Sequence, residues 1–305
     1  MSDKIIAYKG MDENMCCRGK QYEIGKTYTE NKAICCISGM HACENPLDVF
    51  QYYRPDGKNR FFEVECNGAI NKGENDSKLA CTELKVTGEL SLAKFIRLSV
   101  QTTFERAMNR AKKKTSGDRS SAATSGDRSS AATSGYYSSA ATSGDYSSAA
   151  TSDDRSSAAT SGDRSSAATS GYYSSAATSG YCSSAATSGY CSIAATSGDC
   201  SSAATSGERS SAATSGDSSS AATSGNRSTA TATGGYCSAQ VEGKNSLAIA
   251  NGAHSKARGV LGCYLVLTEY DDGGKLLWAK IAKVDGTAIK ENVWYTLKNG
   301  EFEEA

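Results

Sequence analysis

Thr115-Ser116-Gly117-Asp118-Arg119-Ser120-Ser121-Ala122-Ala123 is followed at once by Thr124-Ser125-Gly126-Asp127-Arg128-Ser129-Ser130-Ala131-Ala132, and this nine-residue phase continues to Thr231. The glycines recur from Gly117 to Gly225 with one exception, Asp153. Asp is among the few other residues that tolerate a left-handed backbone, so the exception predicts a left-handed turn at the glycine position. Weaker units continue through Gly234, Gly243 and Gly252, so the array ends near Gly262. A flexible Ser/Gly linker needs composition but no phase. Here the phase holds while only the two residues after each glycine vary freely.

Ser-Ser-Ala-Ala-Thr is long enough for one short strand, and Ser-Gly-x-x for a tight turn. Two units then make one coil, and stacked coils make two parallel sheets face to face. The fold class expected is mostly β: a two-sheet parallel β-solenoid with 18 residues per coil, an N-terminal α/β domain, a capping helix and a C-terminal β cap. About eight coils at ~4.8 Å per strand give a roll ~40 Å long. The plan resembles RTX-type β-rolls, which also use nonapeptides, but it lacks their second glycine and regular aspartate. Tyr136, Tyr172, Tyr181 and Tyr190 stand where aspartate would, so structural calcium is not expected. Asn245–Gly252 resembles the head repeats of trimeric autotransporter adhesins. Tyr8-Lys9-Gly10, His41–Leu47 and Val293–Gly300 resemble uncharacterised proteins of phage and gut-bacterial genomes, a resemblance that bears on architecture only.

The inward set follows from the degenerate units. Leu247 and Ile249 align with Ser121 and Ala123, and Ile193 with Ser121. Apolar residues choose the inside, so Ser121, Ala123 and their equivalents are expected to face the core. Ser120, Ala122 and Thr124 would then line flat outer faces, and Thr124, Thr133 and Thr142 become face-binding candidates. Lys256 and Arg258 break this register, which must slip or end there. A core of such small side chains buries little apolar surface, so backbone ladders and hydroxyl ladders must contribute much of the stability.

Stacking every second unit makes two edges. One reads Arg119, Tyr137, Arg155, Tyr173, Cys191, Arg209 and Arg227; the other reads Arg128, Tyr146, Arg164, Cys182, Cys200, Ser218 and Tyr236. Alternating Arg with Tyr separates like charges and permits cation–π contact. Asp118, Asp127, Asp154 and Asp163 precede arginines and would offset them. Cys182 and Cys200 become stacked neighbours, with Cys191 on the opposite edge.

The flanks divide as 1–90, an α+β domain; 91–114, an amphipathic helix; 115–262, the solenoid; and 263–305, a β-rich cap. Lys4–Tyr8 and Arg60–Val64 read as strands, Asn45–Tyr53 as a helix opening at Pro46, and Cys263–Leu267 with Leu276–Ala279 as a hairpin turning at Asp271-Asp272-Gly273-Gly274. Leu92, Phe95, Ile96, Val100, Phe104 and Met108 form one helix face. The chain has 33 basic and 33 acidic residues, yet 94–114 alone holds 7 basic and 1 acidic. Arg106, Arg110, Lys112, Lys113 and Lys114 could touch nucleic acid. They also suit a helix C-terminus, and capping of the first coil is the reading preferred, with Tyr264, Leu265 and Trp278 closing the far end.

Seven cysteines (Cys16, Cys17, Cys35, Cys36, Cys43, Cys66, Cys81) and His41 lack paired Cys-x-x-Cys spacing, so buried free thiols are expected, with no metal and no cofactor. Lys9, His41 and Glu63 or Glu65 occur in an order that loosely resembles ADP-ribosyltransferase folds, which implies NAD. No nucleophile elbow, phosphate loop or metalloprotease motif is present. There is no apolar run of ~18 residues for a membrane span, and no secretory pattern follows Met1, which points to a cytoplasmic or virion-interior site. The function expected is a non-enzymatic scaffold that binds a partner protein or its own copies. Ice- or crystal-surface binding through the threonines and an NAD-using N-terminal domain are the alternatives.

Overall fold

The computed structural model describes residues 4–55, 58–73, 76–110 and 113–305, without the side chains of 104 and 107–115. Lys112 therefore lies outside the described residues, as do the side chains of Phe104, Met108, Arg110, Lys113 and Lys114.

The repeats form a β-solenoid of about 8 turns of about 18 residues. Alternate strands stack into two sheets, each parallel through its repeat strands. In one, Ser121–Ser125 pairs with Ser139–Ser143, and the stack runs to Tyr264–Tyr270. In the other, Lys113–Ser116 pairs with Ser130–Ser134, and the stack runs to Lys256–Gly259. The parallel stack thus extends one strand past residue 262.

The inward register is the reverse of the expected one. In Ser139–Ser143 the burial alternates so that Ala140 and Thr142 point in, while Ser139, Ala141 and Ser143 point out. Ser138, one residue earlier, is also buried. Strand side chains alternate with period two, so a one-residue error in phase exchanges the faces. The misreading came from Leu247, Ile249 and Ile193, which the structure carries on the outside. The interior holds nothing larger than Ala, Thr and Ser through most coils, so a leucine does not fit there. With the phase corrected, Lys256 and Arg258 are outward around buried Ala257, and no slip is needed. Thr133 and Thr142 are buried and Thr124 is half-buried, so these three cannot bind a surface.

The turns match the expectation in part: ten of the repeat glycines, among them Gly117 (φ 110°) and Gly252 (φ 156°), have positive φ. The residue held left-handed at every turn is the second variable one, from Arg119 (φ 58°) to His254 (φ 56°). Asp153 is not left-handed. What the glycine supplies is room: a Cβ on Gly189 would lie 1.9 Å from the carbonyl oxygen of Gly171 in the coil before it.

Residues 5–90 form a five-stranded antiparallel sheet in the order Thr27–Thr29, Lys78–Leu90, Met40–Cys43, Ile5–Met11, Arg60–Lys72. The two long strands also pair with each other, so the sheet closes on itself. Helix α1, Pro46–Val49, is shorter than expected; Asn45 caps it, its side chain accepting from the Leu47 N–H at 3.2 Å.

Helix α2, Leu92–Arg110, does not cap the first coil. It crosses the outer face of one sheet, touching five successive strands from Ser130–Ser134 to Ser202–Thr205. There Phe95, Ile96 and Val100, together with Phe50 and Phe61, pack on the outward methyls of Ala168, Ala186, Ala204 and Ala222. A row of methyls at strand spacing is a flat apolar track, and an amphipathic helix buries more by lying along it than by standing at its end. The far end is closed as expected by antiparallel strands. Leu276–Lys283 pairs with Tyr264–Tyr270, and Tyr295–Lys298 and Glu301–Glu304 extend the other sheet. Leu265, Leu267, Val284 and Tyr295 fill the interior there, while Trp278 stays half exposed against Gly300.

Candidate functional site

Three surfaces carry chemistry, and the first is the outer face of the sheet that α2 leaves uncovered. Its strands expose Ser-x-Ala-x-Ser in register. The central column reads Ala123, Ala141, Ala159, Ala177, Ala195, Ala213, Thr231, Ile249, Val266 and Ile281, one residue from each of ten strands. Ile193 (49% exposed) and Tyr264 flank it. The expectation of two bare faces is corrected to one, because α2 and the N-terminal domain cover the other.

The second surface is the pair of edges. On the open edge Arg155 lies between Tyr137 and Tyr173, its guanidinium 5.4 and 5.8 Å from their ring centroids, and Arg119 is exposed one coil before Tyr137. The Arg155 Nη1 also donates to the Tyr137 hydroxyl, which lowers the phenol's pKa. On the other edge Arg164 sits 5.7 Å from the Tyr146 ring. That edge faces the N-terminal domain: Arg128, Tyr146 and Arg164 line a polar cleft of about 140 Å³ with Asp48, Asp76 and Arg106. Arg54 Nη1 donates to the Ser218 carbonyl nearby. The N-terminal domain thus lies beside part of this edge, while Arg128, Arg164 and Tyr236 on it remain exposed.

The aspartates of the turns hold the backbone of the following coil. Asp118, Asp127, Asp154 and Asp163 each accept, through Oδ1, the N–H of the residue 18 positions on, at 3.2, 3.1, 2.8 and 2.8 Å. A hydrogen bond from a backbone N–H to an ionised carboxylate is charge-assisted, so each of these aspartates links two successive turns. Cys182 and Cys200 are stacked neighbours, as expected. Burial and the Cys200 thiol push the Cys182 pKa up, and Cys200 Sγ donates to the Tyr181 hydroxyl at 3.6 Å.

The third surface is a cavity of about 350 Å³ in the N-terminal domain, which the sequence did not single out as a pocket. Lys9, on the strand Ile5–Met11, is 4% exposed and donates to the His41 carbonyl at 2.8 Å and to Cys17 Sγ at 3.3 Å. The Tyr53 hydroxyl donates to the same sulfur at 2.9 Å. His41 Nε2 accepts the Cys36 N–H at 2.9 Å. Burial, with repulsion from Lys78, Lys9 and Arg18, pulls the His41 pKa down to about 4. Lys78 stands 4.2 Å from the Tyr52 ring centroid. Lys9 and His41 are thus brought together, but the acids of the transferase-like order are not. Glu65 pairs with Lys4 at 2.5 Å, Glu63 lies beside the Thr87 hydroxyl at 3.3 Å, and neither lines the cavity.

Of the seven N-terminal cysteines, Cys43, Cys66 and Cys81 are buried; Cys16, Cys17 and Cys35 are partly open and Cys36 is exposed, which corrects the expectation that all are buried. Among the described residues no group of three or more His, Cys, Asp or Glu side chains could hold a metal. No described helix is long and apolar enough to cross a membrane.

Residues 5–98, under a third of the chain, match the family model of a domain of unknown function (DUF7666). That span covers the closed sheet, α1 and the first turns of α2. No curated protein and no solved structure matches the chain.

Proposed function

We propose that the chain is a non-enzymatic scaffold whose solenoid pairs through its bare sheet with the same sheet of a second copy. The observation that carries this is the central column from Ala123 to Ile281. It is small and flat over its first six strands and apolar at its C-terminal end, and no element among the described residues covers it. The opposite sheet has a comparable row of alanines, and there the chain supplies α2 as a cover. Ten strands spaced ~4.8 Å apart and ~16 Å wide give a face of roughly 750 Å². That is close to the ~800 Å² per partner of a stable interface, and a two-fold axis makes one face its own complement. Lys280 and Lys283 on the last strand of this sheet oppose growth by edge addition. The open Arg–Tyr edge is a second presenting surface, beside the face.

Sedimentation velocity of the full chain tests the reading. A concentration-dependent dimer that Ala177→Lys and Ile249→Glu abolish, at unchanged circular dichroism, is the expected result. A monomer at the highest soluble concentration overturns it.

A further inference from the structure

The cavity of the N-terminal domain holds an unusual combination. Lys9 is almost completely buried, and an ammonium in that position is costly unless a counter-charge or strong acceptors offset it. Its partners here are a carbonyl, a thiol and the Tyr22 ring, whose centroid lies 5.2 Å away; no carboxylate is within ion-pair distance among the described residues. Lysine has three donors, and two are used. Among the described residues, Arg18 and Lys78 line the same space without an ion-pair partner, and the one carboxylate in the wall, Glu30, is held by Lys20 at 2.5 Å. The wall thus carries an excess of positive charge around a half-buried pocket. The remainder is aromatic: Tyr8, Tyr22, Tyr52 and Tyr53, with Met40 and Val49.

We propose that this cavity binds a small ligand that joins a planar ring to an anionic group, of the class of nucleoside monophosphates. The anionic end would neutralise Lys9 and Lys78, which approach from different strands, Ile5–Met11 and Lys78–Leu90. The ring would lie among the tyrosines, where stacking and cation–π contact both favour an aromatic group over an alkyl one. A volume of about 350 Å³ is at the small end of cofactor-sized pockets, so a mononucleotide matches it better than a dinucleotide. No step of chemistry is implied, since neither Glu63 nor Glu65 reaches the site. The inference is independent of pairing through the bare sheet, which lies on the far side of the solenoid from this domain.

The experiment is calorimetric titration of the full chain with AMP, phenyl phosphate, adenosine and inorganic phosphate. AMP and phenyl phosphate are expected to bind at least tenfold more tightly than adenosine or phosphate, and to weaken as salt rises. Lys9→Met and Lys78→Met are each expected to weaken AMP at least tenfold, and Lys290→Met, in the tail, to leave it unchanged. Lys78 is only partly buried, so its variant keeps the test valid if Lys9→Met fails to fold. Absence of binding by all four probes overturns the proposal. So does inorganic phosphate binding as tightly as AMP, or Lys78→Met binding AMP as the parent does.

Discussion

Ser183 stands one coil beyond Ser165 in the interior column, where its hydroxyl accepts the Ser165 N–H at 3.2 Å and donates to the Gly162 carbonyl at 3.1 Å. The same pair of bonds repeats along both inner edges, so each hydroxyl ties its own turn to the turn one coil before it at two points. Cys237 takes over the role with a thiol that donates to the Gly216 carbonyl at 3.1 Å. Ser183→Ala leaves a buried N–H without a partner and is expected to cost about 1–3 kcal/mol in urea unfolding. Ser183→Cys should cost less than the alanine, because the chain itself uses cysteine at that position.

The inward threonines behave oppositely. The hydroxyls of Thr142, Thr160, Thr178 and their equivalents are buried and have no hydrogen-bond partner in the structure. Valine keeps the shape and removes the unpaired group. Thr178→Val is expected to leave stability unchanged or raise it by about 1 kcal/mol in the same unfolding assay. A loss above that size would mean the hydroxyl has a function in the stack.

Ala186 and Ala177 occupy the same place in the coil on opposite sheets. Ala186 lies under α2 with Phe95, and Ala177 faces outward on the bare sheet. Ala186→Lys forces a charge into a dry contact and should destabilise by about 3–5 kcal/mol. Ala177→Lys should leave the melting temperature unchanged when both proteins are measured at a concentration where the parent is monomeric. Phe95→Ala, which empties the centre of the contact, is expected to cost about 3–5 kcal/mol. It should also raise hydrogen exchange in the five strands beneath α2 before the rest of the solenoid.

His41 gives a pH dependence of definite sign. Its folded pKa, about 4, lies below the ordinary value of 6.5, so the unfolded chain takes up the proton first. Stability is therefore full above pH ~6.5 and is lost as pH falls from there through about 4. The difference in urea midpoint between the parent and His41→Asn should shrink across that window on acidification. A difference that stays constant from neutral pH to pH ~4 would contradict the shift.

Ser218 is one of the sixteen residues held left-handed at the turns, with φ 55°. Its contact to Arg54 uses the carbonyl, which substitution does not alter. Ser218→Gly is expected to stabilise by about 1 kcal/mol, measured as a rise in thermal midpoint.

The repeat phase, the coil length, the two-sheet stack, the hairpin at Asp271–Gly274 and the neighbouring thiols of Cys182 and Cys200 were all legible in the sequence. Each depends on spacing along the chain alone. The cavity was not legible, because Lys9, Cys17, His41 and Tyr53 reach it from separate segments. The sequence grouped Lys9 with His41 through the transferase-like order, and of that order only these two line the cavity. The facing of the threonines was misread because Leu247 and Ile249 imply an inside only when the inside has room for them.

What the residues settled on their own was periodicity: a unit of fixed length with a glycine that lets one coil approach the next must stack, whatever surrounds it. Tertiary structure decided which side of each strand is in, and which sheet is hidden. Both are choices between alternatives that a two-residue alternation leaves equal. The first is made by the narrow gap between the sheets, which accepts methyls and hydroxyls and rejects leucine. The second is made by α2, which buries its phenylalanine and isoleucine on one row of alanines and leaves the other row uncovered.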